Sequence, residues 1–229
     1  MLRLLPALLF CAACGDGGAD APPDAPADSS TDCNPPTVLP SNYRLIAMTS
    51  TGLVNVTTAS GVTSGTIDAT AGGISASPDN PYIYVDLKNG VKVDVNDVES
   101  RTNTSWDIAL KRSSLRTNGG DSGQGNRKVT VVAAASLADV TAAPSSGYGS
   151  DDFASADCML QAIPGGEPLS AFGEWYDYND TTHVVTPKPE VYVLERNNGS
   201  HTAFRVVTYY GDTTMATRGA FYKVEWKQL

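Results

Sequence analysis

Histidine and cysteine are scarce in this chain: two of the first, His183 and His201, and four of the second, among 229 residues. Their placement excludes several chemistries. No Cys-x-x-Cys pair and no Cys/His cluster of zinc spacing occurs, so a structural zinc site is not expected. Gly120-Asp121-Ser122-Gly123 matches the local sequence around the nucleophile of chymotrypsin-like proteases. That fold needs a histidine well upstream of the serine, and both histidines lie downstream. The same loop offers one acid and two asparagines to a calcium ion, fewer carboxylates than such a site usually holds. Asn118-Gly119-Gly120 lacks the Lys-Ser/Thr and the following helix of a phosphate loop. No acid and base stand at a spacing that suggests catalysis, so the chain does not read as an enzyme. Basic charge is also short: 16 Lys and Arg against 25 Asp and Glu, net −9. Nucleic acid wants a basic face and is not an expected partner. No amphipathic helix of useful length and no fixed-period repeat is visible.

What the chain does have begins at its first residues. Residues 1–14 carry one positive charge, an apolar run and small residues before Cys14, the pattern of an export signal and too short to span a bilayer. The Ala12-Ala13-Cys14 ending resembles a bacterial lipobox, which makes Cys14 the expected site of lipid attachment. Residues 15–42 are rich in Gly, Ala, Pro, Asp and Ser. Such a composition cannot bury enough apolar surface to order itself and reads as a disordered acidic tether. With Cys11 and Cys14 assigned to the signal and anchor, Cys33 and Cys158 remain. An exported protein matures in an oxidising compartment, where these two can bridge. The expected place is the cell envelope, at the outer membrane or cell surface, with the membrane met through the lipid alone.

From residue 43 to 229 the pattern is that of one β domain. Tyr43–Met48 and Leu53–Val56 read as strands, and 61–80 as a loop or one weak strand. Tyr82–Leu87 and Val91–Val95 flank Asn89-Gly90, a pair that supplies the positive φ values of a tight hairpin turn. Further strands are expected at Lys128–Ala133, Phe172–Tyr178, His183–Val185, Val191–Leu194, Phe204–Tyr210 and Ala220–Lys227, joined by turns at Asn179-Asp180-Thr181 and Asn197–Ser200. Pro187 and Pro189 break the pairing between two of them. Hairpin after hairpin implies an all-β class, antiparallel sheets packed or curled on one another, with little helix.

The organising stretch runs from Trp106 to Asn126. Trp106, Ile108 and Leu110 alternate with Asp107 and Lys111, the period of a half-buried strand, and four glycines between Gly119 and Gly125 shape the loop after it. Arg112, Arg116 and Arg205 are expected to brace this region against Asp107, Asp121 or Asp212, or else to meet a ligand's carboxylates. Trp106-Asp-Ile-Ala-Leu110, then Arg116-Thr-Asn-Gly-Gly120 with Ser122-Gly123, resembles the HmuY family of haem-binding bacterial lipoproteins. Trp175-Tyr-Asp-Tyr178, Val191-Tyr-Val193, Phe204–Val207 and Phe221–Trp226 support the resemblance, which spans about residues 43–229. It implies two antiparallel sheets with a ligand toward one end. It also implies capture of haem or a related porphyrin at the envelope, with an outer-membrane uptake receptor or a haem-carrying host protein as partner. The axial ligands it would call on are His183, His201 and Met159. Each has an ordinary reading too: a solvated turn histidine for the first two, a core filler for Met159. The competing function is an envelope binding or structural module without haem, its ligand a protein or a glycan.

Overall fold

A computed structural model describes residues 44–155, 157–163, 166–211 and 218–229. The lipid attachment expected at Cys14, the 15–42 tether, Cys33 and Asp212 lie outside the described residues. Among the described residues twelve strands form: β1 (Val54–Ala59), β2 (Val62–Asp68), β3 (Ile83–Asp86), β4 (Val91–Val93), β5 (Ile108–Lys111), β6 (Ser114–Thr117), β7 (Lys128–Ala133), β8 (Tyr176–Asn179), β9 (Val184–Pro187), β10 (Glu190–Glu195), β11 (His201–Thr208) and β12 (Phe221–Gln228). They pair antiparallel in a six-stranded sheet of order β1-β2-β12-β11-β10-β7, a four-stranded sheet β4-β3-β5-β6, and the hairpin β8-β9. The helix α1 (Asp97–Ser100) is a single turn, capped by the Asn96 side chain on the amides of Val98 and Glu99.

The two larger sheets meet because their strands alternate. In β12, Tyr222, Val224 and Trp226 are buried while Lys223 and Glu225 turn away. Their buried side chains share one core with Ile83 and Val85 of β3, Ile108 and Leu110 of β5, and Phe204 of β11. Trp226 Nε1 crosses between sheets to donate to the Leu87 carbonyl at 2.7 Å. The far face of the six-stranded sheet is covered as well: Val191, Val193 and Ala203 pack under Leu137 and Val140, from a 3-10 turn at Leu137–Asp139.

Three local expectations need correcting. Residues 44–48 form no strand; Thr49 makes only an isolated bridge to Asn96. The 61–80 stretch holds the one strand allowed for it: β2, an interior strand held by β1 and β12 on both sides despite its Thr, Ser and Gly content. Neighbours, not its own apolarity, make it a strand. A Cβ at Gly65 would fall 2.1 Å from the Asn55 carbonyl oxygen, so glycine lets β1 lie close. The β3–β4 turn is a four-residue loop over 87–90, in which only Gly90 has positive φ. Asp86 sets it by accepting from the Lys88 and Asn89 amides, an Asx-type arrangement that removes the need for a left-handed Asn89. β5, expected to be half-buried, is buried on both faces, and Ser114–Thr117 pairs with it as β6.

Candidate functional site

The Trp106–Asn126 stretch folds into a buried, densely hydrogen-bonded hub. Trp106 is 1% exposed and its Nε1 donates to Ser100 O at 2.9 Å. Asp107 is buried and accepts from Arg127 Nε at 2.8 Å, Arg196 Nη2 at 2.6 Å, Arg196 Nε at 3.1 Å and the Leu87 amide at 3.0 Å. Both carboxylate oxygens are thus fully used, which is the condition for keeping a charge in an interior. The arginines expected at Asp107 are elsewhere. Arg116 lies over the Tyr82 ring at 4.2 Å, Arg205 donates to Ala135 O, and Arg112 turns to a cavity described below. Asp121 accepts from the Phe153 amide at 2.6 Å rather than from an arginine.

The glycines of the loop make room for one side chain. A Cβ at Gly123 or Gly125 would meet the Asn118 amide group at 2.3 or 2.5 Å. That amide in turn donates to Asn103 O and Trp106 O and accepts from the Gly125 amide. Ser122 Oγ donates to Asp151 at 2.6 Å, and Asp151 also takes the Thr117 and Ala171 amides. Burial pushes the Asp151 carboxyl up to about 6, against the pull of those three hydrogen bonds. Ser122 therefore faces a carboxylate, not an imidazole, and is braced rather than activated. Among the described residues no three His, Cys, Asp or Glu side chains group as a metal site.

The concave site is built elsewhere, from residues far apart in sequence. A cavity of about 950 Å³ opens between the β8–β9 hairpin, the β5–β6 turn and the end of β11. The hairpin contributes Tyr176, Tyr178 and His183; the turn contributes Arg112 and Ser113; Tyr209 and Tyr210 follow β11. Tyr176 and Tyr178 share a side because strand side chains repeat every second residue. Beneath them Trp175 is buried, its ring 4.7 Å from that of Tyr176 and its Nε1 donating to Ser113 O at 2.8 Å. Tyr210 Oη accepts the Val185 amide at 2.8 Å, which ties the hairpin to β11. Arg112 sits in a two-residue turn with φ +52; its carbonyl accepts from Tyr222 Oη at 2.6 Å and its amide donates to Ala69 O at 2.8 Å.

Glu167 accepts from the Ser113 and Tyr176 hydroxyls, while its Oε2 is buried with no hydrogen-bond partner. Burial, reinforced by Glu167, pushes the Tyr176 phenol well up, and burial pushes Tyr209 up to about 12. Both are neutral phenols at neutral pH.

The three residues expected to ligate are not brought together. His183 lines the cavity, and its Nδ1 lies 2.7 Å from Tyr178 Oη. His201 opens β11, at the other end of the strand from Tyr209; eight residues of strand span about 25 Å. Its ring sits 5.7 Å from that of Tyr148 and 3.6 Å from Glu195 Oε1. Met159 is 67% exposed and lines no part of the cavity. Of the three, His183 alone lines the cavity, and the exposed Met159 is not a core filler. Cys158 is disulfide-bonded; Cys33, its expected partner, is outside the described residues. Sequence reasoning missed Ser113, Glu167, Tyr209 and Tyr210. The Tyr209-Tyr210-Gly211 run closing a strand was the one available signal.

Haem can be tested against this cavity. Small-molecule sites run to roughly 300–1,000 Å³, mostly apolar or aromatic with a few placed polar groups. The volume, the tyrosine walls and one imidazole with a second nitrogen to offer fit a porphyrin ring, and Arg112 can meet one carboxylate arm; Glu167, Glu174 and Asp180 also line the cavity and leave the other arm to solvent.

Comparison with known proteins agrees with the frame. Among curated proteins none matches the chain in sequence. Three solved structures share its fold. A Bacteroides vulgatus protein described as an HmuY-like haem-binding protein superposes with a TM-score of 0.53 at 18% identity, covering 77% of this chain and 96% of that one. The apo HmuY analog of Tannerella forsythia gives 0.53 at 15%, covering 77% and 97%. A Bacteroides fragilis protein described as a lipoprotein gives 0.51 at 16%, covering 77% and 94%. The family model described as HmuY protein matches residues 79–222, more than half of the sequence, and takes in the β8–β9 hairpin, the β5–β6 turn and the end of β11. This chain belongs to the HmuY family.

Proposed function

We propose that this is an exported, lipid-anchored protein that captures haem at the cell envelope in the cavity beneath the β8–β9 hairpin. The observation that carries the reading is the placement of His183 among four tyrosines and Arg112 in a cavity of porphyrin size, in a chain of this family. Haem supplies the iron and the flat apolar ring; the chain supplies the rest. His183 binds iron, Tyr176 and Tyr209 cover the ring, and Arg112 meets a propionate. Cys14 carries the lipid and residues 15–42 hold the 43–229 domain off the membrane. Cys33 bridges to Cys158 and pins the tether's end. The partners are an outer-membrane uptake receptor or a haem-carrying host protein. The protein is a binder and not an enzyme. Adding haemin to the purified full chain tests this: a saturable shift of the Soret band supports it, and no shift at micromolar haemin defeats it.

One observation favours a second reading. The Glu167 Oε2 without a hydrogen-bond partner, with Asp180 and Thr182 lining the same cavity, would suit a ligand that donates hydrogen bonds, such as a glycan, in place of haem. Glycan-array binding that haemin does not displace would favour it.

A further inference from the structure

We infer that this cavity reads one carboxylate of its ligand and turns a second away, with Arg112 as the reader and Glu167 as the residue that sets the limit. The inference rests on the haem reading above and narrows the class of porphyrin the site takes.

The charges around the cavity are unequal. Among the described residues that line it, Arg112 is the one Lys or Arg, set against Glu167, Glu174 and Asp180. Outside the described residues, 156, 164–165 and 212–217 contain no Lys or Arg, and residues 1–43 contain Arg3 alone, within the expected signal. His183 is taken up by iron in the haem reading. One guanidinium holds one carboxylate through two parallel hydrogen bonds, and a second carboxylate finds no cation here.

The reader and the limiting acid stand side by side. Arg112 holds a left-handed corner at φ +52, its backbone pinned to Tyr222 Oη and Ala69 O. Glycine fits such a corner at lower cost, as it would at His183, which ends the β8–β9 turn at φ +56. A guanidinium kept at a strained corner is kept for what it meets. Its Nη1 lies 3.4 Å from the Gly219 carbonyl, a long contact with a neutral acceptor. Ser113, the next residue, donates to Glu167 Oε1, as does Tyr176. Oε2 is left without a hydrogen-bond partner. Among the described residues neither Arg112 nor Glu167 has an ion-pair partner, whereas Glu174 is held by Lys188 at 3.0 Å. Glu167 therefore keeps an uncompensated carboxylate next to the reader. A second anionic arm brought there meets a like charge, and a neutral arm does not.

The test is a Soret titration of the full chain with haemin, haemin monomethyl ester and haemin dimethyl ester at fixed ionic strength. The parent is expected to bind haemin and the monoester within about threefold of each other, and the dimethyl ester about tenfold more weakly. Arg112→Leu is expected to lose that tenfold difference. Glu167→Gln keeps an oxygen for the two hydroxyls and turns the other atom into a donor. It is expected to bind haemin about fivefold more tightly than the monoester, a distinction the parent lacks. In the parent, a monoester as weak as the dimethyl ester means that both arms are read, and a dimethyl ester as tight as haemin means that neither is. Either result overturns the inference and leaves the haem reading standing. An unchanged haemin-to-monoester ratio in a folded Glu167→Gln overturns the role of Glu167. The ester series on the parent needs no variant, so it decides the inference even if a substitution prevents folding. Failure of the parent to bind haemin removes the haem reading and this inference together.

Discussion

The Asp107 hub and the β8–β9 cavity are built on opposite terms. At the hub charges are buried and paired: Asp107 is 1% exposed, with two guanidinium groups and an amide on its oxygens. At the cavity they are half-exposed, as in the Lys188–Glu174 pair at 3.0 Å, and one carboxylate oxygen is left open. The hub contains the sequence that stands out, the cavity almost none of it. The difference separates two jobs. A hub whose central carboxylate is fully paired fixes the frame and leaves that carboxylate nothing to offer a ligand. A cavity with strained corners and an unpaired oxygen holds binding capacity that the frame sustains.

Substitutions should divide along the same line. The largest effect is expected at the hub. Asp107→Ala leaves Arg127 and Arg196 buried without their counter-charge and should cost about 3–5 kcal/mol in urea unfolding. A loss under 1 kcal/mol would break the contrast. Next are two buried groups of the frame whose charge is resisted. Lys111 is 3% exposed; its Nζ has no hydrogen-bond partner and stands 5.3 Å from the Tyr82 ring centroid, and burial lowers its ammonium to about 8 from 10.5. Asp97 opposes that shift, while Arg116 and Arg44 add to it. A depressed lysine contributes stability that is present above pH 10.5 and lost as pH falls through 8. The parent should therefore lose about 3 kcal/mol against Lys111→Met over that window, and the variant should be the more stable at pH 7.

Asp151 runs the other way. Its folded value is raised by burial, so its contribution is present below about pH 4 and lost as pH rises through about 6. Relative to Asp151→Asn, the parent should weaken by about 3 kcal/mol between those limits. Smaller again, His183→Gly should gain about 1 kcal/mol by relaxing the left-handed corner. Smallest, Tyr178→Phe on the exposed hairpin should stay within about 0.5 kcal/mol of the parent. Stability losses of hub size at either cavity position would erase the distinction between frame and site.

What could be read in the sequence was what neighbours in sequence decide. The β8–β9 and β10–β11 hairpins, the break between Pro187 and Glu190, and the buried Trp106, Trp175 and Trp226 follow from alternation and turn residues. β2 was hard to see because its strand character comes from β12, more than 150 positions on. Lys111 looked like a solvent-facing strand residue; α1 and its flanking segments close over that face, which no pattern within β5 could reveal. Asp107 finds its arginines 20 and 89 residues away, so the nearer Arg112 and Arg116 were the natural but mistaken partners. The cavity is the extreme case. It draws on Arg112, Glu167, His183 and Tyr209, each ordinary in its own context, and only the folded chain gathers them.

Hydrogen exchange of the full chain with and without haemin tests the separation of frame from site most directly, since ligand protection maps onto the elements that hold it. The account predicts slowed exchange at the Asn179–Val185 amides and at Arg112 and Ser113, with residues 116–127 unchanged. Protection centred on the Gly119–Arg127 loop, with the hairpin unaffected, would contradict it.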